Sequence, residues 1–465
     1  MNLNYTPDNS NFNQMNRKYP MKNFLCFLLL SVTVFSCKND SPVQLEADQN
    51  GFIRNQDIVM YEIFTHDFSS EGTFQGVINR LDSVKALGAN TIWLMPIHPI
   101  GVIKKNGTYG SPYAVKDYFS TNPTYGTIDN FKKLVEVAHN RGLAVVIDWV
   151  ANHTAWDNDW ITAHKDWYTQ DGGGNIIIPP GTNWADVADL NFNNQNMRQE
   201  MISAMKFWVK TANIDGFRCD YANGVPDDFW KQAIDSVNKV KQNLIWLAEG
   251  SLKSQINAGF QMNYSWDFYG TLKSVFTGTS ATAVFSTHTA EYSGFPTNGK
   301  KLRFTTNHDE TSWDKTPPEL FGGLEGAKAA SVLAVFMGGI PLLYNGQEVG
   351  STVHLNLFEK TPINWNQNPG MVAFYKSILK LYNENEALRH GTLLNRSTND
   401  VVIFEKTYNN QTFMILVNPR ATVNIIDIVS DVPPASWINT KINTPLSTLN
   451  VLLPGRSYLI LKKIQ

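Results

Sequence analysis

Four short clusters place carboxylates, an arginine and histidines at the ends of apolar runs. They are Asp148-Trp149-Val150-Ala151-Asn152-His153, Gly216-Phe217-Arg218-Cys219-Asp220, Trp246-Leu247-Ala248-Glu249 and Asn307-His308-Asp309. One such acidic residue is ordinarily a turn or helix-capping residue. Four together define a set of groups able to divide acid and base work. Period-2 alternation in an extended strand turns Arg218 to the same side as Asp220, and a nearby guanidinium holds a carboxylate ionised. Glu249 follows three apolar residues, and partial desolvation there raises a carboxyl pKa until the group can donate a proton near neutrality. The sequence therefore predicts one anionic and one protonated carboxyl. Cys219 points away from Asp220 and reads as packing.

Such side chains need a scaffold that gathers strand ends. From about residue 57, β-branched and aromatic runs alternate with helical patterns, the signature of repeated βα units. Eight strands are expected at 58–64, 91–96, 144–150, 216–220, 244–249, 261–268, 304–307 and 341–344, with a helix over 128–141 closing on Gly142. Eight units over this length predict an α/β fold, a (β/α)8 TIM barrel over 51–152 and 196–385, whose active site lies at the C-terminal ends of the strands. The connection 153–195 is long enough to be an inserted subdomain and holds Trp156, Trp160, Trp167 and Trp184, which either stack on a sugar chain or pack that subdomain. Past 386 the pattern becomes short alternating runs, predicting a C-terminal antiparallel β-sandwich domain over 386–465.

In order and strand position, the four clusters resemble the four sequence regions of the α-amylase superfamily, glycoside hydrolase family 13. Gly110-Ser111-Pro112-Tyr113, Ala188-Asp189-Leu190-Asn191, Gly339-Ile340-Pro341 and Gly346-Gln347-Glu348 extend the likeness from about Tyr61 to Gly350. The resemblance implies a retaining hydrolase of α-glucosidic bonds in starch-derived glucans or maltooligosaccharides. Asp220 would be its nucleophile, Glu249 its general acid/base and Asp309 the carboxylate that clamps sugar hydroxyls. Tyr113, His153 and His308 would bind the sugar in the bond-cleaving subsite, Arg218 would orient Asp220, and Asp148 would tether Arg218 or a substrate hydroxyl. Two other readings stay open: a transglycosidase or isomerase with the same covalent step, and a non-catalytic carbohydrate-binding relative. The family also implies a structural Ca2+ at Asn152 and Asp189, completed by a backbone carbonyl four residues past the nucleophile. Family members usually carry His there, whereas this chain has Gly224. Asn152 and Asp189 otherwise serve only to hydrogen-bond the loop to the barrel. No organic cofactor is implied.

Composition bounds the partners. At 465 residues, 43% hydrophobic and 17% charged, the chain is a folded globular protein. A formal net charge of −2 supplies no basic field for nucleic acid. Aromatic residues at 12%, with 13 Trp and 17 Tyr, suit an uncharged sugar partner, and no obligate protein partner is expected. Met21-Lys22 opens the apolar run 24–35, which is too short to span a bilayer and reads as a signal segment. Val34-Phe35-Ser36-Cys37 resembles the bacterial lipoprotein cleavage box, so 1–37 is read as a signal whose Cys37 becomes lipidated, and 38–50 as a tether. An ordinary secretory signal with an incidental cysteine is the alternative. Lipidation at Cys37 would leave Cys219 as the one thiol, with no disulfide possible, and predicts an exported protein anchored to a bacterial outer membrane, periplasmic or surface-facing.

Overall fold

The computed structural model describes residues 57–464. The signal segment, Cys37 and the tether lie outside the described residues. Eight parallel strands close a barrel: β1 (Met60–Ile63), β2 (Thr91–Leu94), β3 (Ala144–Trp149), then, after a two-stranded insertion of β4 (His153–Ala155) and β5 (Val187–Asp189), β6 (Gly216–Cys219), β7 (Ile245–Ala248), β8 (Met262–Tyr264), β9 (Lys300–Arg303) and β10 (Ile340–Tyr344). Each barrel strand pairs with the next in sequence, and β10 pairs with β1 to close the ring. Helices between the strands cover the outside, as parallel crossovers require.

Alternation sorts each strand into two faces. Met60, Trp93, Val146, Leu247, Met262, Leu302 and Leu342 fill the barrel interior. Tyr61, Ile92, Ile147, Phe217 and Trp246 pack outward against the helices. Counting in steps of two from the interior residues, the inward positions nearest the C-terminal end are Glu62 on β1, Asp148 on β3, Arg218 on β6 and Glu249 just past β7. Parallel register sets Asp148 beside Arg218 on neighbouring strands. The hydrophobic pattern that builds the barrel therefore delivers the polar groups to its mouth.

The seventh barrel strand departs from the sequence expectation of 304–307. It is Lys300–Arg303, and 304–307 is the segment that leads from it to the catalytic face. The strand was hidden because its outward side chains are cationic. Lys301 donates to Asn263 Oδ1 at 2.8 Å, and Arg303 is buried in an ion pair with Glu291 at 2.5 Å and stacked over Phe268. Lysine and arginine are seldom buried without partners, so their presence argued against a buried strand. The sixth strand is also shorter than expected, Met262–Tyr264.

The insertion after β3 holds the antiparallel pair β4 and β5, the helix Trp160–Ala163 and a 3-10 turn at Lys165–Trp167. Its tryptophans all make packing contacts, Trp184 among them on Ala155 and Val187. Trp160 packs between Tyr118 and Trp167, and Trp167 stacks on His164 at 4.0 Å, so these two hold the loop together. Trp184 also sits against His153.

Beyond the helix Glu386–His390, the chain forms β11 (Thr392–Asn395), β12 (Val402–Tyr408), β13 (Gln411–Asn418), β14 (Asn424–Asp427), β15 (Trp437–Asn439), β16 (Thr444–Pro445), β17 (Asn450–Leu453) and β18 (Ser457–Lys463). A six-stranded antiparallel sheet runs β11-β12-β13-β18-β15-β16, and β14 pairs with β17 in a second small sheet. Asn409 and Asn410, both at positive φ, make the tight β12–β13 hairpin, a geometry asparagine tolerates better than other side-chain-bearing residues. One face of the large sheet, including Phe404, Phe413 and Val417, shares the core of the barrel helices. The other packs Ile403, Met414 and Leu416 against Ile426 and Leu453 of the small sheet.

Candidate active site

Arg218 is the centre of the site. Its Nη1 donates to Asp148 Oδ1 at 2.9 Å and to Asp220 Oδ1 at 3.0 Å, and its Nε donates to the Tyr264 hydroxyl at 3.1 Å. Its Nη2 lies 2.9 Å from Glu249 Oε1, an ion-pair contact without hydrogen-bond alignment. The Trp93 ring lies against the guanidinium at 4.9 Å. Five strands thus contribute to one fully buried cation. A Cβ at Gly216 would meet the Ile245 carbonyl at 2.1 Å, so glycine there lets β6 and β7 approach closely enough for Asp220 and Glu249 to reach the same arginine.

Glu249 is oriented from a second direction. Tyr221, immediately after Asp220, takes a left-handed conformation at φ 41° and aims its N–H at Glu249 Oε2, 2.6 Å away. Few residues with a side chain adopt that geometry. The same twist brings the Tyr221 ring to where a side chain at position 224 would point, 2.2 Å from an added Cβ, which accounts for Gly224.

A second chain of contacts starts at His308. Its Nδ1 is 2.5 Å from Glu62 Oε1, while Nε2 is 2.7 Å from the Tyr113 hydroxyl and 3.5 Å from Asp309 Oδ2. Tyr113 in turn donates to Asp148 Oδ2 at 3.2 Å, joining the two networks. Burial disfavours the imidazolium, but the Asp309 and Glu62 carboxylates outweigh it and raise the His308 pKa to about 9. A charged imidazolium donates from both nitrogens, to Glu62 on one side and toward Tyr113 and Asp309 on the other.

Asp220 corrects the sequence expectation. Burial pushes its carboxyl well above the usual range, the neighbouring Glu249 pushes it further, and Arg218 opposes both. The expectation weighed a single pair, whereas in the folded site one guanidinium serves Asp148, Asp220 and Glu249 together. Burial also raises Asp148, against the pull of Arg218. Like carboxylates sharing a desolvated site each oppose the other's ionisation.

His153 lines another wall. It is buried, bonded to the Tyr113 backbone, set 5.5 Å from the Trp184 ring and pushed down to about 4 by burial, so it is neutral. Asp189 pairs with His153 in the β4–β5 ladder, Asn152 immediately precedes it, and the Leu190 N–H donates to the Asn152 carbonyl. They offer a cation one amide oxygen and one carboxylate, and burial raises Asp189, the condition a bound cation relieves. Among the described residues no three His, Cys, Asp or Glu side chains gather as a metal cage. A six- to eight-oxygen calcium shell there would need backbone carbonyls and water.

Asp148, Arg218, Asp220, Glu249, Tyr113, His308 and Asp309, all expected from sequence, therefore meet in one network. Sequence reasoning missed Glu62, Trp93 and Tyr264. Glu62 did leave a signal: it is the lone charge inside the apolar run 58–64.

The Glu62–His308 contact is directly testable. Because the folded-state value of His308 lies above its ordinary 6.5, the imidazolium contributes stability fully below about 6.5 and loses it as pH rises through about 9. Glu62→Gln removes one of the two carboxylates that hold the charge. In that variant the His308 titration, followed by NMR of its ring protons, is expected to move to lower pH by at least one unit; an unmoved titration would show that Glu62 does not set the charge.

Comparison with known proteins agrees with this geometry. The family described as "Alpha amylase, catalytic domain" matches residues 45–389. Alpha-amylase 2 of Dictyoglomus thermophilum is 24% identical over 408 residues, covering 78% of this chain and 69% of that protein. Across the curated amylases of Dictyoglomus thermophilum and Haloarcula japonica that it matches, the chain spans 44% to 69% of their length. Among solved structures, an alpha-amylase from Lactobacillus plantarum superposes with a TM-score of 0.80 at 28% identity, covering 88% of this chain and 100% of that one. The maltogenic alpha-amylase AmyB from Thermotoga neapolitana gives 0.79 at 27% identity, covering 89% and 100%. With the barrel, the four motif regions and their convergence on one arginine in place, the chain belongs to the alpha-amylase family of glycoside hydrolases.

Proposed function

We propose that the protein hydrolyses α-glucosidic bonds in starch-derived glucans or maltooligosaccharides by a retaining double displacement. The observation that carries this reading is one guanidinium touching both Asp220 and Glu249. The retaining course comes from the family likeness, whose paired carboxyls stand roughly 5–5.5 Å apart, against roughly 6.5–9.5 Å in an inverting pair. Asp220 attacks the anomeric carbon while Glu249 passes its proton to the leaving glycosidic oxygen, and the sugar becomes an ester of Asp220. Glu249 then takes a proton from water, which attacks the same carbon and frees Asp220. The first step needs an ionised Asp220 and a proton on Glu249, and Arg218 supports it by stabilising the Asp220 anion. Asp309 and the imidazolium of His308 receive the sugar hydroxyls, Tyr113 and Trp184 offer ring faces, and neutral His153 supplies a further hydrogen bond.

Asp220→Asn is expected to lower hydrolysis of maltoheptaose on the order of 10^4-fold or more while leaving the fold intact. Residual activity within tenfold of the wild type would remove Asp220 as nucleophile. The first-formed product, read by NMR, should carry the α-anomer, and chromatography of the products separates hydrolysis from transfer to a sugar acceptor.

Two further features belong to this reading. Val34-Phe35-Ser36-Cys37 supports export and lipid anchoring at Cys37 on a bacterial outer membrane, where the enzyme meets extracellular glucan. Cys37→Ser should shift the protein from the membrane fraction to the soluble one, and an unchanged partition would remove the anchor. Asn152 and Asp189, with backbone and water oxygens, would hold a calcium ion whose contribution is to pin the inserted loop to the barrel. Adding EDTA is then expected to lower Tm by a few degrees; an unchanged Tm would remove the ion.

A further inference from the structure

Soluble proteins seldom leave large aromatic side chains in solvent in a contiguous group without a use for them. Trp313 is 64% exposed and Tyr109 45% exposed, and both lie on the catalytic face. Trp313 ends the helix His308–Trp313, four residues after Asp309. On a helix that spacing places the two side chains on one face, about 5–6 Å apart at Cβ. The Trp313 ring is therefore one turn, about a sugar residue's length, from the carboxylate at the bond-cleaving subsite.

Its neighbours are fixed in place. The Trp313 and Phe358 rings are 5.6 Å apart. Phe358 packs on the same apolar cluster as Tyr113, and its carbonyl accepts the Tyr109 N–H at 3.0 Å. Thr108 N–H donates to Glu359 Oε1 at 2.8 Å, and the Ser312 hydroxyl donates to the Leu355 carbonyl at 2.5 Å. Three segments following β2, β9 and β10 are thus tied together, and the Trp313 ring stands in solvent beside the half-buried Phe358.

We infer that Trp313, backed by Phe358, forms a stacking platform for a glucose residue of an α-glucan outside the bond-cleaving subsite, and so biases the enzyme toward longer chains. Pyranose rings present flat C–H faces that pack on aromatic rings, which suits an uncharged chain leaving the pocket past Asp309. This inference rests on the α-glucan reading above.

The test compares kcat/KM on maltoheptaose with kcat/KM on maltotriose. In Trp313→Ala the ratio of the first to the second is expected to fall roughly threefold to tenfold, the range of one aromatic contact, whereas Trp313→Phe keeps most of it. Phe358→Ala should lower the ratio in the same direction. A ratio unchanged in Trp313→Ala, with Tm as the control for folding, overturns the platform. Wild-type enzyme that cleaves neither sugar would remove the α-glucan reading and the platform together, so the two failures are distinct.

Discussion

A single buried guanidinium balances three carboxylates at the mouth of the barrel, and the rest of the site follows from that balance. Arg218 is inaccessible to water, and an ionised side chain in that position persists only when paired on several sides. Asp148, Glu249 and Tyr264 reach it from other strands, so those contacts exist only when the barrel is closed. Ring closure, strand register and the inward alternation of β3, β6 and β7 are in this sense conditions for charge neutrality. One positive charge stands against three carboxyls, and burial raises the pKa of two of them, Asp148 and Asp220, against its pull.

His308 supplies the second positive charge. It is held by Glu62 behind and Asp309 in front, and it reaches the first network through Tyr113 and Asp148. The catalytic face therefore holds two linked ion clusters of different character. One, around Arg218, carries a permanent cation facing three carboxyls. The other carries a titratable cation fixed by two carboxylates. A sugar binding across both meets donors and acceptors already oriented, so little reorganisation is left for the reaction itself.

The periphery divides its work by loop. The insertion after β3 uses Trp160 and Trp167 for its own core and offers Trp184 to the site. The loops after β2, β9 and β10 lock to one another and place Trp313 at the opposite rim. The large C-terminal sheet shares a core with the barrel helices, the small sheet packs on its other face, and neither contributes a group that converges on Arg218.

Sequence alone determined the barrel, seven of its strands in place or nearly so, the convergent residues and the family, because the period-2 pattern and the motif residues are local properties of the chain. It also marked Gly224 as a departure from the family. It did not locate β9, whose Lys301 and Arg303 read as surface residues until Asn263 and Glu291 arrive from elsewhere in the chain to pair them. It did not find Glu62, since the partner that explains it is 246 residues away. It placed the upward carboxyl shift on Glu249 from three apolar neighbours and kept Asp220 ionised from one arginine. Only the tertiary structure shows the burial and the second carboxyl that oppose that arginine at Asp220, because a pKa answers to every charge within a few ångströms, and those charges come from strands far apart in sequence.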